Sequence, residues 1–322
     1  MKRLCVTVML GGPSAEREVS LRSGAAVAEA LAGLGHTVHR VDPQDGHWGL
    51  PAGTEVVFLA LHGTYGEDGT VQARLEDLGV PYTGCDAEAS RIAFDKVLTK
   101  RRCLAAGVPT ARFTVLESAQ AEWPGDWTPP VVLKPVRQGS SVGLQFVAAR
   151  ADFPAAVAAA LRYDTQVLME EQIAGHEATV GILSEQVLPL VEVCPKQGQF
   201  DYRNKYTPGA TEYFCPARFD VATTRRVQQA ALGAFRAIGG RDFARVDVMV
   251  RADGAPVVLE VNTLPGMTAT SLLPKAAAAA GWAFPALCQT MLELALARRP
   301  QEPAAQSARP ALSAAAYNRP TP

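Results

Sequence analysis

Two different hydrophobic periods alternate along the N-terminal part of the chain. Short apolar runs at 4–10, 37–41 and 56–61 predict β-strands. Between and after them, apolar residues recur at helical spacing over 19–34 and about 70–78. Strands that alternate with helices in this way predict a parallel α/β sheet.

The pattern changes after residue 88, where antiparallel strands replace the regular alternation. A helix is predicted from a cap near Ser90 to about Ala106, and the final strands form a hairpin that closes at Asp253-Gly254. The other predicted elements are strands at 131–134, 143–147 and 166–170, helices at 151–163 and 223–238, and antiparallel strands from about Ala178.

The length of 322 residues is large for one compact core, so we predict several domains. We predict an α/β domain at 1–88, a smaller central domain at 89–177 and a C-terminal domain at 178–298. We therefore predict a mixed fold, α/β at the N-terminus and α+β in the remainder. The tail 299–322 is rich in Pro, Ala and Ser, which predicts disorder.

A long loop connects Cys194 to Cys215, and a loop of this length within a compact domain is uncommon unless it is functional. It contains cationic and aromatic side chains between two possible glycine hinges, which favours a lid over a plain surface excursion. These residues are Lys196, Tyr202, Arg203, Lys205 and Tyr206, with Gly198 and Gly209 near the ends.

The final hairpin collects polar side chains on one face. A turn centred on Asp253-Gly254 sets Asp247 opposite Glu260 and Arg245 opposite Asn262. The other face then carries only apolar residues, namely Val246, Val248, Val250, Val257, Leu259 and Val261.

The paired carboxylates on this face indicate a cation site. Opposed carboxylates on neighbouring strands lie about 5 Å apart at Cβ and repel each other unless a cation lies between them. Carboxylate and amide oxygens suit Mg²⁺ or Mn²⁺, and Mg²⁺ commonly bridges to substrate phosphates. The pattern thus favours a nucleotide enzyme. The alternative is a solvated strand face whose acids merely neighbour Arg245.

Composition and charge exclude several classes of partner. With 31 basic and 32 acidic residues the formal charge is −1, so nothing indicates a nucleic-acid or membrane-surface partner. No apolar run is long enough to span a membrane. Six cysteines without a close Cys-x-x-Cys pair favour reduced thiols in a cytosolic protein. The substrate is expected to be a small molecule.

A glycine-rich loop follows the strand that ends at Lys134. The segment from Arg137 to Gly143 contains two glycines and two serines, whose N–H and hydroxyl groups could bind phosphate beside the lysine. The P-loop spacing is absent, and an ordinary hairpin loop is the alternative.

Two further loops follow predicted strands, where doubly wound folds bind ligands. Glu16 ends the first loop; it could bind an ammonium group or could simply lie in the first turn of a helix. His62 begins the second loop, where it could line the site or bond to a local carbonyl.

Taken together, these segments resemble the D-alanine:D-alanine ligases of the ATP-grasp superfamily. The resemblance extends from about Leu4 to Leu296, and its motifs occur in order at compatible separations. They are Gly11-Gly12-x-Ser14-Ala15-Glu16-x-Glu18-Val19-Ser20, His62-Gly63-x-x-Gly66-Glu67-Asp68-Gly69, Lys134-Pro135 to Gly143, Lys205-Tyr206, Arg245-x-Asp247 and Glu260-x-Asn262-Thr263-x-Pro265-Gly266-Met267-Thr268.

The resemblance implies an ATP-grasp module of two domains after the N-terminal domain, with ATP between them. It assigns adenine contacts to Glu170 and Ile173 and the ribose contact to Glu177. Two Mg²⁺ or Mn²⁺ ions would be held by Asp247, Glu260 and Asn262. The implied phosphate contacts are Lys96, Lys134, Ser141 and Lys205.

The resemblance also implies where two D-alanine molecules bind. Glu16 would hold the first ammonium group and form a hydrogen-bonded triad with Ser140 and Tyr206. Arg245 and the N–H of Gly266 would face the tetrahedral oxyanion. The remaining implied substrate contacts are His62, Lys205, Ser271, which would bind the second carboxylate, and Leu272.

The implied activity is ATP-dependent synthesis of D-alanyl-D-alanine by a cytoplasmic homodimer, for peptidoglycan precursors. A ligase that joins D-alanine to D-lactate would use the same ATP site, although Lys205-Tyr206 matches the dipeptide enzymes better. A silent nucleotide-binding regulator would lack some of the ligands, and no motif position is vacant. A ligase of an unrelated acid and amine is disfavoured by the motif from Gly11 to Ser20.

Overall fold

A computed structural model describes residues 2–197, 207 and 209–298 of the chain. Helices combine with parallel and antiparallel sheets in it, which confirms the predicted fold class. The predicted lid residues Tyr202, Arg203, Lys205 and Tyr206 lie outside the described residues, as does the tail 299–322.

The N-terminal sheet is parallel, with β1 hydrogen-bonded between β2 and β3. Because the carboxyl ends of parallel strands meet at one edge, the loops that follow β1 and β3 come together there. Those loops carry Glu16 and His62. The elements are β1 (Cys5–Met9), α1 (Arg17–Gly33), β2 (Thr37–Val41), β3 (Val56–Leu59) and α2 (Thr70–Asp77).

The central part is an antiparallel sheet in the order β4-β7-β5-β6, with a core that includes Phe153 and Leu133. Lys134 lies on β5 next to Leu168 of β7, so strand pairing fixes its position. The elements are α3 (Ala87–Phe94), α4 (Lys96–Ala105), β4 (Phe113–Leu116), β5 (Val131–Pro135), β6 (Gln145–Val147), α5 (Phe153–Ala160) and β7 (Val167–Glu171).

The prediction of a single helix from Ser90 to Ala106 is wrong. Asp95 adopts an extended conformation with ψ 104°, and its carboxylate accepts the N–H of Leu98 at 2.9 Å. Asp86, not Ser90, caps the preceding helix by accepting the N–H of Ala89. Aspartate favours such caps because its short side chain competes for backbone N–H groups. The break places Lys96 at the first residue of α4.

The C-terminal part is an antiparallel sheet in the order β11-β10-β8-β12-β13, with β9 paired to β8. Helix α6 packs against this sheet through Val227, Ala231 and Phe235. The elements are β8 (His176–Leu183), β9 (Gln186–Val187), β10 (Val191–Pro195), β11 (Thr211–Phe214), α6 (Val221–Ala237), β12 (Phe243–Val250), β13 (Pro256–Asn262), α7 (Leu272–Ala279) and α8 (Phe284–Ala297).

The hairpin β12–β13 has the predicted register where its polar residues lie. Asp247 is opposite Glu260, and Arg245 is opposite Asn262. The turn is one residue longer than predicted, because Arg251 N–H donates to Ala255 O. A bulge beyond Asp247 takes up the extra residue and restores the register.

Because of the bulge, the prediction of the apolar face is wrong for Val257 and Leu259. Val258, not Val257, packs with Val246 in the core. Val257 packs instead against Ile173, and Leu259 lines a cavity. Inserting one residue reverses the alternation of side chains, which is the physical reason for the exchange.

The last helix shares a hydrophobic core with the first sheet. Leu287 and Met291 of α8 belong to the same buried cluster as Val56 and Phe58 of β3. His36 Nε2 also lies within hydrogen-bond distance of Gln289 Oε1, at 2.7 Å, and this contact joins α8 to the segment before β2. The beginning and end of the described chain are therefore one packing unit.

The cysteines all lie within the described residues. All six cysteines are free thiols. Across residues 2–197 and 209–298, none of the helices combines the length and apolar character needed to cross a membrane.

Candidate active site

Two cavities meet beside the hairpin in the described part of the chain. The first lies between β5 and β7 on one side and the hairpin on the other, and the second is lined by loops that carry Glu16 and His62. Ser141 and Val142 of the glycine-rich loop line both cavities. A group bound in one cavity would therefore be close to a group bound in the other.

Two lysines from separate elements reach the first cavity. Lys134 Nζ lies 2.5 Å from Glu170 Oε2, and 17% of its side chain remains exposed. Lys96 Nζ donates to Gln138 O at 2.5 Å and lies 3.8 Å from Glu260 Oε2. The structure thus brings together two of the lysines predicted to contact phosphate.

The glycine-rich loop between the cavities has an unusual backbone. Ser140 and Ser141 have positive φ values of 51° and 58°, a conformation that non-glycine residues rarely adopt. Such residues persist only where the surrounding structure fixes them, and they occur often at functional sites.

Several carboxylates line the first cavity. Among the described residues that line it, five carboxylates accompany only two lysine ammonium groups. The carboxylates belong to Glu170, Glu171, Glu177, Asp247 and Glu260. Cations outside the cavity lining, namely Lys100, Arg245 and Arg251, pair with three of these carboxylates.

The residues predicted to hold metal supply oxygen atoms at one place on the hairpin. Both Asp247 carboxylate oxygens accept bonds from Arg245 at 2.8 Å, and Asn262 Nδ2 donates to Asp247 Oδ2 at 3.1 Å. No three His, Cys, Asp or Glu side chains cluster as a metal site within the described ranges. Two carboxylates and one amide nevertheless fit Mg²⁺ or Mn²⁺, since Mg²⁺ usually takes few protein ligands and keeps water and phosphate oxygens.

The predicted adenine and ribose contacts also line the first cavity. Ile173 is buried against Val257, and Glu177 is half-buried at the cavity wall. Glu170 is only 2% exposed, and its carboxylate forms ion pairs with Lys100 and Lys134. Their contacts with a nucleotide stay predictions.

Glu16 lies in the second cavity, closely surrounded by backbone. A Cβ atom on Gly139 would lie 2.5 Å from Glu16 Oε2, and one on Gly63 would lie 2.9 Å from the same atom. Ser140 Oγ donates a short hydrogen bond to Glu16 Oε1. Two glycines therefore allow the loops to close on this carboxylate, and the serine orients it.

His62 joins three separate parts of the second cavity. Its Nδ1 lies 3.0 Å from Leu264 O, and its Nε2 lies 3.2 Å from Ser23 Oγ. Ser23 Oγ in turn accepts the N–H of Met267 at 3.1 Å. Both ring nitrogens thus help to position the loop around Gly266, while substrate contact by His62 stays a prediction.

The remaining predicted substrate residues line the far wall of the second cavity. They are Arg245, Gly266, Ser271 and Leu272. Ser271 Oγ accepts the N–H of Thr268 at 3.0 Å, and a Cβ atom on Gly266 would lie 2.8 Å from that oxygen. Leu272 is the first residue of α7, so the N-terminus of this helix adjoins the cavity.

Glu67 lines this cavity, although no role is predicted for it from the sequence. It is half-buried, and its Oε2 accepts the N–H of Gly63 at 2.8 Å. Burial, together with the neighbouring charge of Glu16, raises the pKa of Glu67 to about 8. The motif around His62 contains this residue, but only the fold reveals that it lies near Glu16.

Glu67→Gln is expected to make the protein more stable at alkaline pH. A folded-state pKa above the ordinary 4.5 means that the folded protein holds a proton which the unfolded chain releases. Wild-type stability should therefore fall as pH rises from about 4.5 to about 8, whereas glutamine cannot ionise. The gain in unfolding free energy should reach on the order of a few kcal/mol by pH 8.

Denaturant unfolding between pH 5 and pH 9 measures this difference. Glu18→Gln, which removes an exposed carboxylate from the wall of the same cavity, serves as the control for loss of one acid. The expectation would be contradicted if the difference in unfolding free energy between Glu67→Gln and wild type stayed constant across this pH range.

This arrangement is typical of an enzyme. Paired carboxylates, lysines and a glycine-rich loop surround one cavity, and a polar second cavity lies beside it. Family models agree with this class. The model described as D-ala D-ala ligase C-terminus matches residues 104–293, and the model described as D-ala D-ala ligase N-terminus matches residues 49–85.

Relatives along the whole chain identify the family. The chain is 45% identical over 293 residues to a D-alanine–D-alanine ligase of Methylacidiphilum infernorum, covering 91% of this chain and 96% of the relative. It is 46% identical over 296 residues to a D-alanine–D-alanine ligase of Syntrophotalea carbinolica, covering 91% and 97%. The chain belongs to the D-alanine–D-alanine ligase family.

Solved structures show the same fold. The D-alanine–D-alanine ligase of Bacillus anthracis complexed with ATP superposes with a TM-score of 0.80 at 32% identity, covering 92% of this chain and 98% of that one. The VanG D-Ala:D-Ser ligase of Enterococcus faecalis superposes with a TM-score of 0.79 at 28% identity, covering 91% and 99%. These neighbours have the ATP-grasp fold, as the sequence resemblance implied.

Proposed function

We propose that this chain uses ATP to join two D-alanine molecules into D-alanyl-D-alanine, a building block of peptidoglycan. The observation that carries the proposal is the meeting of the two cavities at Ser141 and Val142, next to Glu16. An amino acid whose ammonium group binds Glu16 would lie beside the lysine-lined cavity. Family membership and the identity to named ligases support the same reaction.

In the first step, the carboxylate of one D-alanine attacks the γ-phosphate of ATP and forms an acyl phosphate and ADP. Lys96 and Lys134, with Lys205 from the loop, offset charge on the transferred group. Ser141 contributes a donor from the glycine-rich loop. Ile173 and Glu170 contact adenine, and the ribose hydroxyls bind Glu177.

Asp247, Glu260 and Asn262 would hold two Mg²⁺ or Mn²⁺ ions. When bound, these ions would neutralise phosphate charge and stabilise the transferred group. The opposition of Asp247 and Glu260 on the hairpin supports this part of the proposal, because two neighbouring carboxylates repel each other unless a cation lies between them.

In the second step, the amine of the second D-alanine attacks the acyl phosphate and displaces phosphate. Ser271 binds the second carboxylate beside Leu272, while His62 supports the loop around Gly266. Arg245 and the N–H of Gly266 stabilise the tetrahedral oxyanion, which is usually a large contribution to acyl transfer. The bond from Ser140 to Glu16 orients the reactants, and Tyr206, the third predicted member of this triad, lies outside the described residues.

The proposed assembly is a homodimer in the cytoplasm, and the family resemblance is its support. Free thiols at all six cysteines agree with a reducing compartment.

Phosphate release by the purified protein tests the proposed reaction. With ATP and Mg²⁺, we expect release that depends on D-alanine and is absent with L-alanine. Product analysis with D-alanine plus D-lactate, and with D-alanine plus D-serine, distinguishes the dipeptide from a depsipeptide or a mixed dipeptide. Release that did not require D-alanine would refute the proposal.

A further inference from the structure

A second lysine of α4 is buried directly behind the first cavity. Only 1% of the Lys100 side chain is exposed, so it cannot touch a ligand in the cavity. Its Nζ forms an ion pair with Glu170 Oε1, while Lys134 binds the other oxygen, Oε2, from the cavity side. One buried carboxylate is therefore shared between two ammonium groups.

Polar groups surround the buried Lys100 nitrogen. Besides its ion pair with Glu170, Lys100 Nζ donates to Thr110 Oγ1 at 2.7 Å and to Ala111 O at 3.3 Å. The Thr110 hydroxyl donates its own hydrogen to Val258 O at 2.8 Å, so it can only accept from Lys100. Two hydrogen-bond acceptors and one carboxylate therefore surround the Lys100 nitrogen.

This arrangement determines the charge that Lys134 offers to the cavity. Lys100, Lys134 and Glu170 together carry one net positive charge, and of the two lysines only Lys134 lines the cavity. Without Lys100, the Glu170 carboxylate would be paired with Lys134 only, and its charge would cancel that of Lys134. The buried group would then offer no net charge to an anion in a cavity already rich in carboxylates.

We propose that Lys100 is a positioning residue that shares the Glu170 carboxylate and so keeps the charge of Lys134 available to nucleotide phosphates. The inference rests on the proposed ATP site. A buried ion pair often adds little net stability, because the cost of desolvation offsets the attraction, so a second lysine held here calls for another role. Attraction of phosphate is such a role, because the charge acts through the protein interior, where screening by water is weak.

Binding of Mg²⁺-ADP and of adenosine, measured by calorimetry, separates the phosphate contribution from the rest of the site. Both ligands carry adenine and ribose, so their affinity ratio reports on the phosphates. In Lys100→Met we expect the ratio of ADP to adenosine affinity to fall about tenfold, the size expected for one unit charge in a partly screened interior. Adenosine affinity should be unchanged.

Two further variants separate charge from packing. Thr110→Val removes a hydrogen bond of Lys100 but leaves every charge in place, so its ratio should equal that of wild type. Lys100→Met combined with Glu170→Gln restores one net positive charge on Lys134, so its ratio should return toward the wild-type value. In Lys100→Met, the buried Glu170 carboxylate loses one of its two lysine partners, which could prevent folding. The double variant has no carboxylate at position 170, so it can be measured even if Lys100→Met does not fold.

The outcomes distinguish the inference from the function on which it rests. Three results would overturn the role of Lys100. The ratio of ADP to adenosine affinity could be unchanged in Lys100→Met, it could fall equally in Thr110→Val, or it could fail to recover in the double variant. A wild-type protein that bound neither Mg²⁺-ADP nor adenosine would overturn the proposed nucleotide site, and the inference with it.

Discussion

Replacing Glu260 with glutamine is expected to lower turnover at least about a hundredfold, since metal-ion catalysis contributes several kcal/mol of charge stabilisation. Glutamine keeps the size of the side chain but removes the negative charge opposite Asp247. The variant should also need a higher Mg²⁺ concentration for half-maximal rate. Titration of Mg²⁺ in a phosphate-release assay measures both effects.

Glu171→Gln is the matched control for this substitution. It removes a carboxylate from the same cavity, but one that is partly exposed and paired with Arg251 at 3.2 Å. We expect its Mg²⁺ requirement to equal that of wild type. A Glu260→Gln protein with wild-type rate at low Mg²⁺ would show that the hairpin carboxylates do not bind the catalytic ion.

Gly139→Ala is expected to damage binding of the first D-alanine while leaving the fold intact. The added Cβ would lie 2.5 Å from Glu16 Oε2, and the end of that flexible side chain can move away at little cost in stability. Moving it breaks the bond from Ser140 and displaces the proposed ammonium site. Hydrogen bonds to a charged group contribute roughly 1.5–3 kcal/mol, so the KM for the first D-alanine should rise about ten- to a hundredfold.

Gly125→Ala controls for the loss of a glycine in the same part of the chain. A Cβ there would meet no atom within 4 Å, and its backbone φ is not positive. Initial rates at varied D-alanine concentration compare the two variants, with the KM for ATP as an internal reference. Equal KM values for D-alanine in both variants would show that Glu16 does not hold the substrate.

The hairpin shows why part of the site could be predicted from the sequence. Asp247 and Glu260 are separated by few residues, and local turn chemistry places them opposite each other. The extra residue in the turn and the bulge at Leu259 cancel, so the predicted pairing is confirmed at the polar residues although Leu259 was placed on the wrong face. Bulges depend on how the strand packs within the whole sheet, which hydrophobic alternation does not reveal.

Lys100 shows why the remainder of the site could not be predicted. In the sequence it precedes Arg101 and Arg102 in a basic run on a helix, which is typical of a solvated surface. Its burial depends on Glu170 and Thr110, which lie on other elements and approach it only in the folded protein. The break between α3 and α4 has a more local cause. The Asp95 carboxylate accepts the N–H of Leu98, which a continuous helix would have bonded to a backbone carbonyl.

The packing of α8 against the first sheet has a consequence for the order in which the chain can fold during synthesis. The sheet that contains β3 leaves the ribosome early, but Leu287 and Met291 complete its core only after nearly all of the described chain has been made. The central sheet around Phe153 has its own buried cluster and does not need that helix. Limited proteolysis of ribosome-bound chains should therefore find the central part protected before the N-terminal part, the reverse of the order of translation.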